Sequence, residues 1–232
     1  VDQLIRQRLP ATLLVVGSSQ ILALAIAIPI GIYAALRPYS IFDQVANTIA
    51  FMGFSLPTFF TGILLILVFS LKLDWLPFVY QADVPGTGLT WLWGHVRQAI
   101  MPVCVLGFFQ AASYTRYVRS AVLDVARLDY VTTARAKGLA DGVVTRRHIA
   151  RNALIPVVTL VALQMPAVFG GAIVTEQIFR IPGIGSLLID AMLSNDTPVV
   201  MAVTFVFACL VGLVHLIADL RYGWLDPRIS YG

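Results

Sequence analysis

Few side chains in this 232-residue sequence could do chemistry. His95, His148 and His215 lie far apart, in different segments, and Cys104 and Cys209 fall inside long apolar runs. No Cys/His cluster has metal-ligand spacing, and the cysteines read as small packing residues rather than a disulfide. There are two lysines, Lys72 and Lys137, and neither follows a glycine, so the chain has no Gly-Lys phosphate loop. What remains is of another kind. Polar residues stand isolated in apolar stretches: Ser18, Ser19, Gln20, Gln110, Ser113, Gln164 and Glu176. Such groups face a bundle interior or a cavity and could line a solute path; hydrogen bonding between helices is an equally good reading. His215 and Asp219 are spaced to pair as i, i+4, in a position that suits interfacial solvation better than a proton relay.

The elements that must position these residues follow from composition. The chain is 59% hydrophobic and 12% charged, against a usual ~25% charged, and its mean hydropathy is +0.85. A soluble domain of this size needs a charged skin that is missing here. That disfavours a soluble enzyme, a nucleic-acid-binding domain and a disordered protein. Five long charge-free windows lie between Arg8 and Arg37, Asp43 and Lys72, Arg97 and Arg116, Arg151 and Glu176, and Asp196 and Asp219. A membrane helix needs about 20 apolar residues, so we expect an all-α polytopic membrane bundle, one domain over 1–232, with spans near 11–35, 46–71, 100–120, 153–176 and 198–219. The windows do not alternate in polarity as barrel strands would. Pro29, Pro57, Pro102, Pro156 and Pro166 fall within them, and such breaks are tolerated where neighbours satisfy the freed carbonyls.

Eight of the sixteen basic residues lie between Arg116 and Arg151. Positive charge marks the cytoplasmic side, so the loop 121–151 is expected there. Alternation then puts the C-terminus in the cytoplasm and residue 1 outside, as expected of a longer native chain with a span before Val1. Trp75, Trp91 and Trp93, with the WLPF, PGTG and WLWG segments, suit an interfacial aromatic belt on the outer side; docking of an external protein is the other reading. Residues 177–197 read as a Pro-Gly turn and a short amphipathic helix.

Within the basic loop, good helix formers run from Asp124 to Lys137. Gly138 reads as a helix stop, with Arg135 and Lys137 in the last turn, where cations suit the helix dipole. Asp141 is a candidate cap for a second helix over Val143–Arg151 that leads into the fourth span. Leu128, Val131 and Ala134/Arg135 make one semi-apolar stripe. On charge alone, two readings stay open: a loop lying on anionic lipid, worth about 1 kcal/mol per basic residue, or a docking element for a cytoplasmic partner.

The detailed string separates them. Asp129, Tyr130, Val131, Thr133, Ala134, Arg135, Ala136, Lys137, Gly138 and Leu139, followed by His148, Arg151, Asn152, Ala153 and Pro156, resemble the cytoplasmic loop of bacterial ABC importer permeases. The resemblance is to the dipeptide/oligopeptide/nickel branch. Thr175, Glu176, Ile178, Phe179, Pro182, Gly183, Ile184 and Gly185 resemble that branch's outer segment, with Asp190 and Ala191 in its short helix, and Asp226, Pro227, Arg228 and Ile229 resemble its tail. The general importer pattern fits less well: its Glu-Ala-Ala falls on Thr132, Thr133 and Ala134, and the proline of its Leu-Pro falls on Arg151. This points away from importers of sugars or polar amino acids.

The resemblance implies the permease subunit of an ATP-driven importer in the bacterial inner membrane, taking peptides, or alternatively a nickel chelate or another small solute, from an extracytoplasmic binding protein. It implies a six-span native protein that pairs with a second, homologous permease and two ATP-hydrolysing subunits, which bind the ATP and Mg; this chain would bind no cofactor or metal and no nucleic acid. The coupling contact would fall on Leu128, Asp129, Tyr130, Val131, Thr132, Ala134, Arg135, Ala136, Lys137, Gly138 and Leu139. Translocation-path candidates are Ser19, Gln20, Gln110, Ser113, Gln164 and Glu176. The functions from other classes are a stand-alone proton-coupled transporter, which would want mid-span carboxylates, and a structural or channel-type subunit.

Overall fold

A computed structural model describes residues 1–81 and 88–225. The side chains of Trp91, Leu92, Asp219 and 221–225 fall outside the description, as do Pro85–Thr87 of the PGTG turn and the Asp226–Ile229 tail. The expected His215–Asp219 pairing therefore lies outside it too.

Among the described residues the chain is helical throughout: α1 Asp2–Leu36, α2 Ile41–Ser55, α3 Thr58–Leu65 running on as a π-helical segment Ile66–Lys72, α4 Leu89–Ala126, α5 Asp129–Ala136, α6 Asp141–Val143 with a π-helical segment Val144–Ala150, α7 Arg151–Ile178, α8 Ile184–Leu193 and α9 Thr197–Leu225. Four helical runs are long and apolar enough to cross a membrane, or five if α2 and α3 with its π segment count as one broken span. The break falls at Pro57, which has φ −60° and ψ 141°. That extended conformation cannot continue a helix, so the second charge-free window holds two helices. The other four long helices run past the expected spans 11–35, 100–120, 153–176 and 198–219 at both ends. At 35 residues and ~1.5 Å per residue, α1 is far longer than a ~30 Å hydrocarbon core.

The chain divides into two compact units, one of Val1–Leu22, Ser55–Gln110 and Pro166–Leu210, the other of Ala23–Phe54, Ala111–Met165 and Val211–Gly232. In the first, Ile184, Leu187, Leu188 and Ala191 of α8 pack with Val199 and Val203 of α9, flanked by Ile5 and Leu9 of α1 and Ile173 of α7. In the second, Val118 and Val122 of α4 pack with Val131 and Ala134 of α5, Val144 and Ile149 of the π segment and Ala153 and Val157 of α7. Small residues permit close approach between these helices. A Cβ on Gly31 would lie 2.7 Å from Val118 Cβ and 2.9 Å from the Thr115 carbonyl, so α1 and α4 nearly touch there.

Two details of the basic loop differ from expectation. The helix after Asp124 is broken at Arg127–Leu128, because Leu128 takes an extended conformation (φ −74°, ψ 146°) as the N-cap of α5. The break re-aims the chain so that Val131 and Ala134 reach the core. The residue at the N-cap of the next helix is Ala140, which has no side-chain capping bond, and Asp141 occupies the first turn. Asp141–Ile178 is then one continuous helical run of 38 residues.

Candidate functional site

The most chemically distinctive surface is built on α5. Its sequence buries only Val131 and Ala134, three residues apart and so on one face. Asp129, Tyr130, Thr132, Arg135, Ala136, Lys137, Gly138 and Leu139 are exposed, as is Leu128 before them. A valine and an alanine hold the helix down, and residues 128–130, Thr132, Thr133 and residues 135–139 are presented outward.

The C-terminus of α5 is fixed by its backbone. Gly138 N–H donates to Arg135 C=O at 2.9 Å and Leu139 N–H to Ala134 C=O at 3.4 Å, the paired bonds of a Schellman cap. The cap needs a left-handed residue, and Gly138 has φ 76°. A Cβ there would meet nothing within 4 Å, so the glycine serves conformation and not space.

The residues Asp-Tyr, His and Arg-Asn, scattered in the sequence string, meet here. Tyr130 Oη donates to the His148 carbonyl at 3.3 Å; Asn152 Nδ2 donates to the same carbonyl at 2.8 Å and to Tyr130 Oη at 3.1 Å. This ties α5 to the π segment and to the start of α7. Beside it, Ala140, Gly142, Val143, Arg146 and Arg147 line an open depression of about 430 Å³. The surface thus combines exposed arginines and a tyrosine, residue types enriched in protein interfaces, with exposed leucines beside them.

A second feature was missed by sequence reasoning. Asp43 of α2 receives Arg119 of α4 in a bidentate pair, Nε at 2.6 Å and Nη2 at 2.7 Å. The same carboxylate accepts from Tyr39 N–H at 2.9 Å and Asn47 Nδ2 at 2.7 Å, while Ser40 Oγ accepts from Asp43 N–H at 3.2 Å in the manner of an N-cap. The Ser-x-x-Asp spacing signals the cap, but nothing signals Arg119, 76 residues away. Arg116, one turn earlier, lies 4.6 Å from the Phe51 ring centroid. On this stretch of α4, Arg116, Tyr117, Ser120 and Asp124 line an open groove of about 550 Å³ with Pro156.

The translocation-path candidates lie on α1, α4 and α7. Ser19 is buried and donates to the Val16 carbonyl of its own helix at 2.8 Å. Gln20 and Gln110 are buried. Gln164 Nε2 donates to Ser113 Oγ at 3.3 Å, joining α7 to α4. Glu176 is fully buried and engaged: its Oε1 accepts from Thr12 Oγ1 at 2.5 Å and its Oε2 from Ser186 N–H at 2.9 Å. Trp75 and Trp93 are exposed, and Arg97 donates to the Trp75 carbonyl. Tyr80 N–H donates to the Phe179 carbonyl at 3.2 Å, and burial pushes the Tyr80 phenol pKa up. No group of three or more His, Cys, Asp or Glu among the described residues could hold a metal ion.

A family model described as the binding-protein-dependent transport system inner membrane component matches residues 27–231. The chain belongs to this family. It is the inner-membrane permease of an ABC importer, multi-pass and all-α. It is 43% identical over 231 residues to the oligopeptide transport system permease protein AppB of Bacillus subtilis (strain 168), covering 100% of this chain and 72% of the relative. It is 40% identical over 238 residues to the di/tripeptide transport system permease protein DppB of Pseudomonas aeruginosa, covering 96% and 71%, and 40% identical over 243 residues to the dipeptide permease DppB of Escherichia coli (strain K12), covering 97% and 72%. Among solved structures, the permease resembles a chain of the MetNI methionine ABC transporter with TM-score 0.74 at 17% identity, covering 97% of both chains. It also resembles an amino acid ABC transporter chain with TM-score 0.64 at 15% identity, covering 95% and 94%. Those two likenesses concern the fold alone.

Proposed function

We propose that this permease translocates di- or oligopeptides handed over by an extracytoplasmic binding protein, together with a second homologous permease and two ATPase subunits that bind ATP and Mg. The observation that carries the substrate class is the 40–43% identity to permeases named for oligopeptide, di/tripeptide and dipeptide transport. Residues 121–151 lie in the cytoplasm, residue 1 outside, and the C-terminus inside; the basic residues between Arg116 and Arg151 support that orientation.

In this reading α5 is the coupling element. It seats in a groove of an ATPase subunit through Leu128, Tyr130 and Leu139, with Arg135 and Lys137 making the polar contacts. Val131 and Ala134 pass its displacement to α4 and α7. Nucleotide state can drive transport only if it biases two arrangements of the spans differently, and a capped helix tied to α7 by Tyr130 and Asn152 supplies a stiff handle for that bias. Ser19, Gln20, Gln110, Ser113 and Gln164 are the path residues; Glu176, the sixth candidate from the sequence, has both carboxylate oxygens engaged by Thr12 and Ser186.

The test is reconstitution of the complete complex in liposomes. Uptake of a labelled dipeptide that requires the binding protein and ATP hydrolysis is the expected result. Uptake of a nickel chelate but not peptide would overturn the substrate assignment. Gradient-driven uptake by this chain alone would overturn the coupling role.

A further inference from the structure

We propose that Glu176 is a positioning residue, whose buried carboxylate acts with Thr12 to supply the missing cap of α8 and so holds that helix where transport requires it. The proposal rests on the permease reading for its transport readout but not for its geometry.

The helix α8 has 10 residues and opens at Gly183, which has no side chain to cap it. Its first N–H groups need partners all the same. Two neighbouring helices supply them. Ile184 N–H donates to Thr12 Oγ1 at 2.9 Å, Thr12 Oγ1 donates in turn to Glu176 Oε1, and Ser186 N–H donates to Glu176 Oε2. Arg8, one turn before Thr12 on α1, donates to Ser186 Oγ at 3.3 Å. The cap is therefore assembled from α7, just before α8 in the chain, and from α1, 172 residues away. A carboxylate suits the place because both oxygens are needed as acceptors and a helix N-terminus favours negative charge.

The glycines of the turn are explained by the same group. A Cβ on Gly183 would collide with the Glu176 carboxylate, and one on Gly185 would come within 2.8 Å of Glu176 Oε2 and of Ile173 Cα. The Pro-Gly-Ile-Gly run thus reads as the space a buried carboxylate occupies. The clasp also matters because α8 is too short to span a bilayer, so only protein contacts hold it. Its apolar face meets α9, α1 and α7, while the clasp fixes its N-terminal end.

Four variants of the full complex in nanodiscs test this: Thr12→Ser, which keeps the hydroxyl, Thr12→Val, which replaces it at equal size, Glu176→Gln and Gly183→Ala. Each also carries Leu187→Cys, on the buried face of α8, and is measured for thiol labelling rate, assembled complex, basal ATP hydrolysis, and binding-protein-stimulated hydrolysis and uptake. Thr12→Ser is expected to match the parent. Thr12→Val, Glu176→Gln and Gly183→Ala are expected to label about tenfold faster and to lose stimulated hydrolysis and uptake about tenfold, the size expected for one lost buried bond, with assembly and basal hydrolysis kept. Labelling and uptake unchanged in Thr12→Val and Gly183→Ala would overturn the proposal. So would uptake that falls only in proportion to the amount of assembled complex, since the clasp would then serve folding alone. Labelling needs no substrate, so a parent complex that fails to transport peptide would count against the proposed function while leaving the clasp to be judged by its own readout.

Discussion

At the scale of single residues, two positions are held by different physics. Gly138 is fixed by backbone conformation: at φ 76°, a left-handed residue with a Cβ costs about 1–2 kcal/mol, and no neighbour relieves or adds to that. We expect Gly138→Val to insert and assemble with the partner permease but to lose most peptide uptake and stimulated ATP hydrolysis, since the α5 cap and the path of Leu139 both depend on it. Gly138→Asn, which tolerates left-handed φ, should recover much of both; a valine variant transporting at the parent rate would remove α5 from the coupling role. Asp43 is fixed by electrostatics. It is almost fully buried, and its carboxylate accepts from Arg119, Tyr39 and Asn47. The Arg119 side chain is 22% exposed, so breaking the pair from one side costs less than the ~3–5 kcal/mol of a fully buried pair, and still leaves the surviving charge without its partner. Asp43→Ala should therefore lower the thermal midpoint of the purified complex strongly, and more than Asp43→Ala/Arg119→Met does. Near-equal melting of the two would show that the pair contributes little.

At the scale of elements, α5 shows how little burial is needed when the cap and tie are good. Val131 and Ala134 are its only buried side chains, and an isolated helix of eight residues would not persist in water. The Tyr130–His148–Asn152 contact supplies the rest. Tyr130→Phe removes one hydroxyl from it, worth about 1 kcal/mol. Its effect should fall on coupling more than on stability: measured by ATP hydrolysis against uptake, the number of ATP used per peptide should rise while the melting temperature shifts little. The α2–α3 break at Pro57 and the loop break at Leu128 share one cause. Each puts an extended residue where the helical pattern would continue, and each re-aims the helix that follows. Proline announces the first. The second is decided by where Val131 and Ala134 must go, and local propensity does not reveal it.

At the scale of the whole molecule, the uneven spread of sixteen basic residues is the feature with most consequence. If the Arg116–Arg151 region faces the cytoplasm, a Lys137→Cys variant in intact cells should resist an impermeant maleimide and react after permeabilisation, while a Trp75→Cys variant should react at once. The opposite pattern would invert the orientation. The same basic surface should make association with the ATPase salt-sensitive, since screening weakens exposed charge contacts beyond about 10 Å at 0.1 M salt. Arg135→Glu/Lys137→Glu should then weaken copurification of the ATPase at low salt.

The sequence by itself determined the membrane class, the all-α build, the approximate helices and the glycine stop after α5. These follow from hydropathy windows, helical period and the special φ of glycine, all properties of neighbouring residues. It also carried the family string, although that string names residues without saying that Tyr130 and Asn152 meet at one carbonyl. Tertiary structure alone decided the partners of the buried charges. Asp43 finds Arg119 across 76 residues and Glu176 finds Thr12 across 164. A charged group taken out of water must be paired or hydrogen-bonded, so its burial demands a partner; which partner depends on the helices that packing brings alongside, and no local spacing encodes that.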